Sequence, residues 1–161
     1  MVIYIGADHR GFKMKAELTT FLKTKGYQVV DVGAKNYNEN DDYPDFARDV
    51  ALNVIENYEN ARGILICSSG VGVNVVANKF ERIRCALVTN SNQAYDSRND
   101  DDCNVLALPV DYINNETAKT ITLTWIETPF SNEERHKRRI DKINFIEGIV
   151  SRPVNKDSFS Q

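Results

Sequence analysis

The sequence predicts an α/β protein in which helices cover both faces of an open parallel sheet, giving a three-layer sandwich. Two observations predict this class. Segments with strand character alternate with segments with helical character along the chain. Each strand segment is short and apolar throughout, as expected where both faces of a sheet are covered. The 161 residues suit one domain, so we expect a single domain over residues 1–150 and a polar tail over residues 151–161.

Five strands are predicted from short apolar runs that contain β-branched residues. Helical segments separate these runs, and parallel strands need such crossover connections. In chain order, the predicted strands are Val2–Gly6, Tyr27–Val32, Gly63–Cys67, Ile83–Thr89 and Cys103–Leu108.

Helices are predicted where apolar residues recur every three or four positions. Gly26 is typical of a residue that ends a helix, and Pro44 fits the first turn of one. The polar segment Asn36–Asp42 is predicted as a loop. The predicted helices are Gly11–Lys25, Pro44–Asn57, Val73–Phe80, Asn92–Asn99, Asn115–Glu127 and Asn132–Ile149.

Composition excludes several classes of protein. The formal net charge of −3 argues against a general nucleic-acid binder. No apolar run is long enough to cross a bilayer, and the first residues lack the basic leader of a signal peptide, so we expect a cytoplasmic protein. The three cysteines include no CxxC pair, which argues against a disulfide framework or a zinc site.

The segment Cys67-Ser68-Ser69-Gly70-Val71-Gly72 follows the third strand and is predicted as a tight turn before a helix. Its glycines allow backbone N–H groups to converge on an anion, and the helix adds a positive dipole end. The same field is expected to lower the pKa of the Cys67 thiol, which favours a nucleophile or a base. Alternatively, Cys67 is a small buried residue that ends a strand, and the segment alone does not decide between them.

Three other groups of residues have a functional and a structural interpretation. Asp8 and His9 follow the first strand and either bind phosphate or cap the next helix. Arg135 and Arg139 share a helix face and could bind one phosphate, although a charge run in isolation is usually a solvated face. The segment Asp100–Asp102 could bind a cation, but its spacing favours a polar turn.

Taken together, these segments resemble the ribose-5-phosphate isomerase type B family, which includes the galactose-6-phosphate isomerase subunits. Seven collinear segments carry the resemblance. They are Gly6–Phe12, Asp42–Asp45, Ile64–Gly72, Ala77–Lys79, Ile83–Arg84, Asn104–Leu106 and Arg135–Arg139.

The resemblance implies a Rossmann-like sandwich with a five-stranded parallel sheet, here with an extra C-terminal helix. It also implies an enzyme that interconverts aldose and ketose phosphates through an enediolate, without a metal or another cofactor. Cys67 would be the base. Some relatives instead use a glutamate as the base. Val73 occupies that position here, so Cys67 is the only candidate for the base.

The resemblance also assigns substrate contacts. Ser69 and the turn from Ser68 through Gly70, Val71 and Gly72 would hold the enediolate oxygens. Asp8 and Tyr43 would bind sugar hydroxyls. The groups implied to bind phosphate are His9, Arg135 and Arg139.

The chain departs from the family at two places. Asp100 and Asp101 stand where relatives usually carry His-Asn, and that histidine opens the sugar ring. We therefore expect Asp100 to relay this proton and Asp101 to contact the substrate, although a carboxylate repels phosphate. Asp111 stands where relatives often have an arginine, and Arg10 could supply the missing positive charge.

Topology predicts a homodimer with shared sites. Asp100 and Asp101 precede the fifth strand and lie at its amino end, whereas Cys67 lies at the carboxyl end of a parallel neighbour. A second subunit must therefore supply one half of a common site, as the family also does. A tetramer built from two such dimers is the alternative assembly.

The expected substrate is ribose 5-phosphate, which would be converted to ribulose 5-phosphate. A hexose 6-phosphate of the allose or galactose type is the alternative within the same chemistry. A sugar-phosphate binding module without turnover is another, motivated by Asp100 and Asp101. A cysteine hydrolase is disfavoured because no residue is evident that would orient the histidine it needs. A dinucleotide-dependent oxidoreductase is disfavoured because the segment Gly6–Gly11 has the sequence GADHRG and not GxGxxG.

Overall fold

The computed structural model describes residues 1–150, so the predicted tail over residues 151–161 lies outside the described residues. The described residues form one parallel sheet with the strand order β2-β1-β3-β5-β4. Its strands are β1 (Val2–Ala7), β2 (Gln28–Asp31), β3 (Ala61–Cys67), β4 (Cys85–Leu87) and β5 (Val105–Pro109).

Helices connect the strands and cover both faces of the sheet. The helices are α1 (Phe12–Thr24), α2 (Tyr43–Glu56), α3 (Val71–Ala77), α4 (Ser91–Asn99), α5 (Asn115–Glu127) and α6 (Glu134–Val150). The predicted α/β class, the five-stranded parallel sheet and the extra C-terminal helix are confirmed.

The core has one apolar layer on each side of the sheet. Side chains of alternate residues in a strand point to opposite faces, so Ile64 and Ile66 join one layer while Leu65 and Cys67 join the other. Helices α1, α4 and α5 contribute to the first layer, which includes the fully buried Trp125. Helices α2 and α3 contribute to the second.

Two predicted boundaries were wrong in ways that concern the site. Helix α3 begins at Val71, so Val71 and Gly72 belong to its first turn and not to the preceding turn. The residue before the helix, Gly70, has a φ of 72°, a left-handed conformation that glycine adopts without strain. Strand β4 covers only Cys85–Leu87, because it lies at the edge of the sheet and pairs with β5 alone.

The register of the strands fixes which loops meet. Ala7 pairs with Ile66, and Cys67 pairs with Pro109. The loops after β1, β3 and β5 therefore leave the sheet side by side at its carboxyl edge. This edge is where ligands bind in open α/β sheets.

Candidate active site

The Cys67 thiol lies at the carboxyl edge of the sheet, beneath the turn that leads into α3. The Gly70 N–H donates a hydrogen bond to Sγ at 3.2 Å, and only 5% of the Cys67 surface is exposed. Gly70 adopts the left-handed conformation, and a Cβ atom at this position would lie 2.4 Å from Leu87 Cδ1. The turn therefore needs glycine for its backbone conformation and for space.

Burial raises the pKa of the Cys67 thiol above its ordinary value. The amides of Val73, Gly70 and Ser69 oppose this increase, whereas the negative charge of Asp8 adds to it. The expectation that the turn lowers the thiol pKa was therefore wrong, because desolvation outweighs the hydrogen bonds to sulfur. Burial also raises the pKa of Cys103, to about 12, where hydrogen bonds from backbone amides are not among the effects that oppose the increase.

The structure brings Tyr43 and Ser69 to the same turn. The Tyr43 ring packs against Gly72 so closely that a Cβ atom there would lie 2.7 Å from ring carbons. The Ser69 hydroxyl oxygen accepts a hydrogen bond from the Val71 amide at 3.3 Å. Both side chains thus contact the turn that follows Cys67.

A hydrogen-bonded ion pair flanks the turn. The Ser68 hydroxyl donates to Asp111 Oδ2 at 2.6 Å, and Arg10 Nη2 donates to Asp111 Oδ1 at 3.1 Å. The Ser68 hydrogen bond and the Arg10 charge lower the pKa of Asp111. The Arg10 guanidinium is therefore held beside Asp111, the position at which the sequence lacks the expected arginine.

Asp8 and His9 extend the site beyond β1. Asp8 is buried, and its Oδ1 accepts a hydrogen bond from the Gly11 amide at 3.0 Å, which stabilises the turn before α1, although the N-cap residue of the helix is Gly11 and receives no side-chain cap. Burial raises the pKa of Asp8. His9 Nδ1 lies 2.8 Å from Asp41 Oδ1. Sequence reasoning missed Asp41, since 32 residues separate the two and no spacing pattern joins them.

A second cluster contains Asp100, Glu133, Arg135 and His136. Asp100 Oδ1 accepts a hydrogen bond from Asn99 Nδ2 at 2.7 Å and lies 3.7 Å from Nε2 of the fully buried His136. Arg135 Nε donates to Glu133 Oε2 at 2.7 Å, and this hydrogen bond raises the pKa of Arg135. His136 was also missed, although its segment was part of the resemblance.

Asp102 shows that the acidic triplet is a structural turn. Its carboxylate pairs with Arg84 at 2.9 Å and with Arg98 at 2.7 Å, and its φ of 46° lies in the left-handed region. The backbone oxygen of Asp101 accepts a hydrogen bond from Arg84 Nε at 2.9 Å. Within residues 1–150, no group of three or more His, Cys, Asp or Glu side chains is arranged to hold a metal ion.

The two clusters lie at opposite ends of the strands, with the Cys67 cluster at the carboxyl ends and the Asp100 cluster at the amino ends. Cys67 pairs with Pro109, whereas Asp100 and Asp101 come before Val105, which pairs with Gly63. Four residues of β5 span about 13 Å. One chain therefore brings Asp8, His9, Tyr43 and the turn from Cys67 to Gly72 together, but it leaves Asp100, Asp101, Arg135 and Arg139 at the other end.

Comparison with known sequences identifies the relatives of this chain. The model of the Ribose/Galactose Isomerase family matches residues 3–143. The probable ribose-5-phosphate isomerase B of Mycoplasma genitalium is 41% identical over 141 residues, which are 88% of this chain and 92% of that protein. The ribose-5-phosphate isomerase B of Escherichia coli is 39% identical over 145 residues, or 90% and 95% of the two chains.

Solved structures agree with these sequence matches. The Clostridium thermocellum ribose-5-phosphate isomerase B superposes with a TM-score of 0.89 at 42% identity, covering 94% of this chain and all (100%) of that one. The Mycoplasma genitalium enzyme, solved with bound ribulose-5-phosphate, gives a TM-score of 0.88 at 40% identity, covering 91% and 96%.

The fold and these matches are those of an α/β enzyme of the aldose–ketose isomerase class. The chain belongs to the Ribose/Galactose Isomerase family, which confirms the resemblance noted in the sequence. Among the helices over residues 1–150, none is both long and apolar enough to cross a membrane.

Replacing Gly70 with alanine should destabilise the protein more than the same change at another left-handed glycine. Gly26 has a φ of 88° with open space around it, so Gly26→Ala should cost about 1–2 kcal/mol in unfolding free energy, from the backbone alone. Gly70→Ala adds the clash with Leu87, worth about a further 1–3 kcal/mol. Urea unfolding measures both.

Gly148→Ala serves as a control, because Gly148 lies in α6 with nothing near its missing Cβ. This change should be neutral or stabilising. Equal losses for Gly70→Ala and Gly26→Ala would contradict the steric role of Leu87.

Proposed function

We propose that this enzyme interconverts ribose 5-phosphate and ribulose 5-phosphate without a metal ion, with Cys67 as the base. The observation that carries the proposal is the buried Cys67 Sγ beneath backbone amides at the carboxyl edge of the sheet. The names of the relatives support the choice of substrate. Residues 1–150 would form a single isomerase domain.

The reaction needs one base and a set of oxyanion donors. The Cys67 thiolate removes the proton from C2 of the open-chain aldose. The C–H electrons form the C1–C2 double bond while the C1=O π electrons move onto O1, giving an enediolate. The C2 hydroxyl proton is then transferred to O1, the carbonyl forms at C2, and the C1–C2 double-bond electrons take the proton back from the thiol at C1, which regenerates the thiolate. The Ser69 hydroxyl and the amides of Gly70 to Gly72 would stabilise the enediolate oxygens.

Substrate contacts at this edge follow from the same geometry. Asp8 and Tyr43 would bind sugar hydroxyls, and His9 would bind the phosphate. Arg10 is more than half exposed and anchored through Asp111 to Ser68, so its guanidinium would add positive charge at the mouth of the site. Because Asp111 holds the Ser68 hydroxyl, Ser68 would contact the substrate through its backbone.

The rest of the site would come from a second subunit. Asp100 would relay the proton in ring opening, supported by the buried His136 behind it. Asp101 would contact the sugar, and Arg135 and Arg139 would bind phosphate, with the phosphate displacing Glu133 from Arg135. Exposed apolar residues on α3 and α6 favour a homodimer. They are Val71, Val75, Ile143, Phe145, Ile146 and Ile149.

A hexose 6-phosphate is the second candidate substrate, favoured by the galactose branch that the family's description includes. A turnover screen with ribose 5-phosphate, allose 6-phosphate and galactose 6-phosphate separates the two. Absence of turnover on every sugar phosphate would instead favour a binding module, which the carboxylates of Asp100 and Asp101 would explain.

Removing the thiol should abolish isomerisation. Cys67→Ala leaves the site without its base, so kcat for ribose 5-phosphate should fall by about 10²–10⁴-fold. The assay follows ribulose 5-phosphate formation, and Cys85→Ala is the matched control because Cys85 lies outside the site. Equal rates for the Cys67 variant and the parent enzyme would remove Cys67 from the mechanism.

The pH dependence of kcat/KM should report the raised pKa of Cys67. The base must be ionised, and a raised pKa leaves little thiolate at neutral pH. Below that pKa, kcat/KM should rise about tenfold per pH unit, and the rise should continue beyond the ordinary thiol pKa of about 8.5. A plateau that begins near pH 7 would contradict the effect of burial.

Mixing two inactive variants should restore activity if subunits share sites. Cys67→Ala and Asp100→Ala damage opposite halves, so a heterodimer has one intact site and one doubly damaged site. Random exchange of subunits should then restore about a quarter of the parent activity. No recovery after verified exchange, or an active monomer by light scattering, would rule out shared sites.

A further inference from the structure

His9 is held by the polar loop Asn36–Asp42, to which the sequence assigned no function. Asp41 Oδ1 lies 2.8 Å from His9 Nδ1 and also accepts a hydrogen bond from the His9 backbone amide at 2.9 Å. A single carboxylate oxygen thus fixes both the main chain and the ring of His9.

Asp41 differs from an ordinary loop aspartate in its burial. Its side chain is only 9% exposed, whereas that of His9 is 25% exposed. Within residues 1–150, the buried Oδ2 of Asp41 has no hydrogen-bond partner. Burying a carboxylate costs free energy unless it is paired, and the pairing of this side chain is directed entirely at His9.

Tyr37 holds the ring of His9 from a second direction. The two rings meet edge to face, with centroids 6.4 Å apart and planes at 89°. Tyr37 also packs edge to face on Phe12 at the start of α1, with centroids 6.1 Å apart. The imidazole plane is therefore restricted by contacts with the loop on two sides.

The root of this loop is itself anchored. The buried Lys15 ammonium donates to Asp31 Oδ2 at 2.8 Å and to the backbone oxygen of Ala34 at 2.6 Å. The Gly33 amide donates to Asp31 Oδ1 at 2.9 Å. These bonds fix the start of the loop that carries Tyr37 and Asp41.

The contact with Asp41 determines which ring nitrogen carries the proton. A carboxylate only accepts hydrogen bonds, so Nδ1 must donate. Neutral His9 then has an unprotonated Nε2 on the opposite side of the ring. A phosphate oxygen accepts a hydrogen bond only from a protonated Nε2. Because Nδ1 already carries a proton, binding phosphate through Nε2 requires the doubly protonated ring, which donates from both nitrogens.

We propose that Asp41 is a positioning residue that keeps Nδ1 of His9 protonated and reserves Nε2 for the substrate phosphate, with Tyr37 fixing the ring plane. The phosphate part of this proposal rests on the proposed function. In the substrate complex, Asp41 balances the charge of the imidazolium, which lies between two anions.

The tautomer of His9 can be measured without any activity. The chain has two histidines, so a His9→Gln variant assigns the ¹⁵N side-chain signals of both. His9 in the parent protein, in its neutral form, should carry its proton on Nδ1. Asp41→Ala should shift this population toward the Nε2–H form, while Asp41→Asn, which keeps an acceptor oxygen, should retain Nδ1–H. The His136 signals should not change in either variant.

The kinetic test uses a charge-matched control from the same loop. Asp41→Ala should raise KM for ribose 5-phosphate about tenfold and weaken inhibition by inorganic phosphate equally, with a smaller change in kcat. Asp41→Asn should fall between this variant and the parent. Glu39→Ala removes an exposed acid from the same loop and should leave KM unchanged.

The outcomes separate this proposal from the proposed function. An unchanged His9 tautomer in Asp41→Ala, or an unchanged KM in a folded and active variant, overturns the positioning role of Asp41. A protein with the expected tautomer shift but no turnover of ribose 5-phosphate refutes the proposed substrate and leaves the orientation of His9 standing. If Asp41→Ala fails to fold, loss of Nδ1–H in Asp41→Asn also overturns the role.

Discussion

The left-handed conformation of Gly70 is the constraint on which the site depends. It ends the three-residue turn between β3 and α3, and the amides of Ser69, Gly70 and Val73 are directed at the Cys67 sulfur. A Cβ atom at Gly70 would meet the Leu87 side chain, and one at Gly72 would meet the Tyr43 ring. The thiol is thus held in a desolvated position beside backbone amides.

The parallel sheet both assembles and divides the chemistry. Its register brings the loops after β1, β3 and β5 to the carboxyl ends of the strands, where Asp8, His9 and Cys67 lie. It also leaves Asp100 and the neighbouring Arg135 at the amino ends, because Asp100 precedes β5 in the chain. A complete site of the proposed kind therefore needs two copies of the chain, and the exposed apolar faces of α3 and α6 are consistent with such an assembly.

Two carboxylates of the proposed site, Asp111 and Asp100, have defined side-chain neighbours. Asp111 receives the guanidinium of Arg10 and the hydroxyl of Ser68, so the cation at this corner comes from a different loop. Asp100 lies against the buried His136, whose Nδ1 is 2.6 Å from the Ser131 hydroxyl. At Asp111 the Arg10 guanidinium offsets the negative charge of a carboxylate that would repel a phosphate.

The sequence alone determined the fold class and the location of the thiol site, because short apolar runs alternate with amphipathic helices and because glycine spacing after Cys67 is a local property. It also predicted that Asp100 and Cys67 are separated, since strand direction follows from chain order. Only the tertiary structure decided the pKa of Cys67, where burial outweighs the amides, and the start of α3. Contacts between distant segments, such as His9 with Asp41 and Arg10 with Asp111, depend on how loops from different strands meet, and no pattern along the chain encodes that meeting.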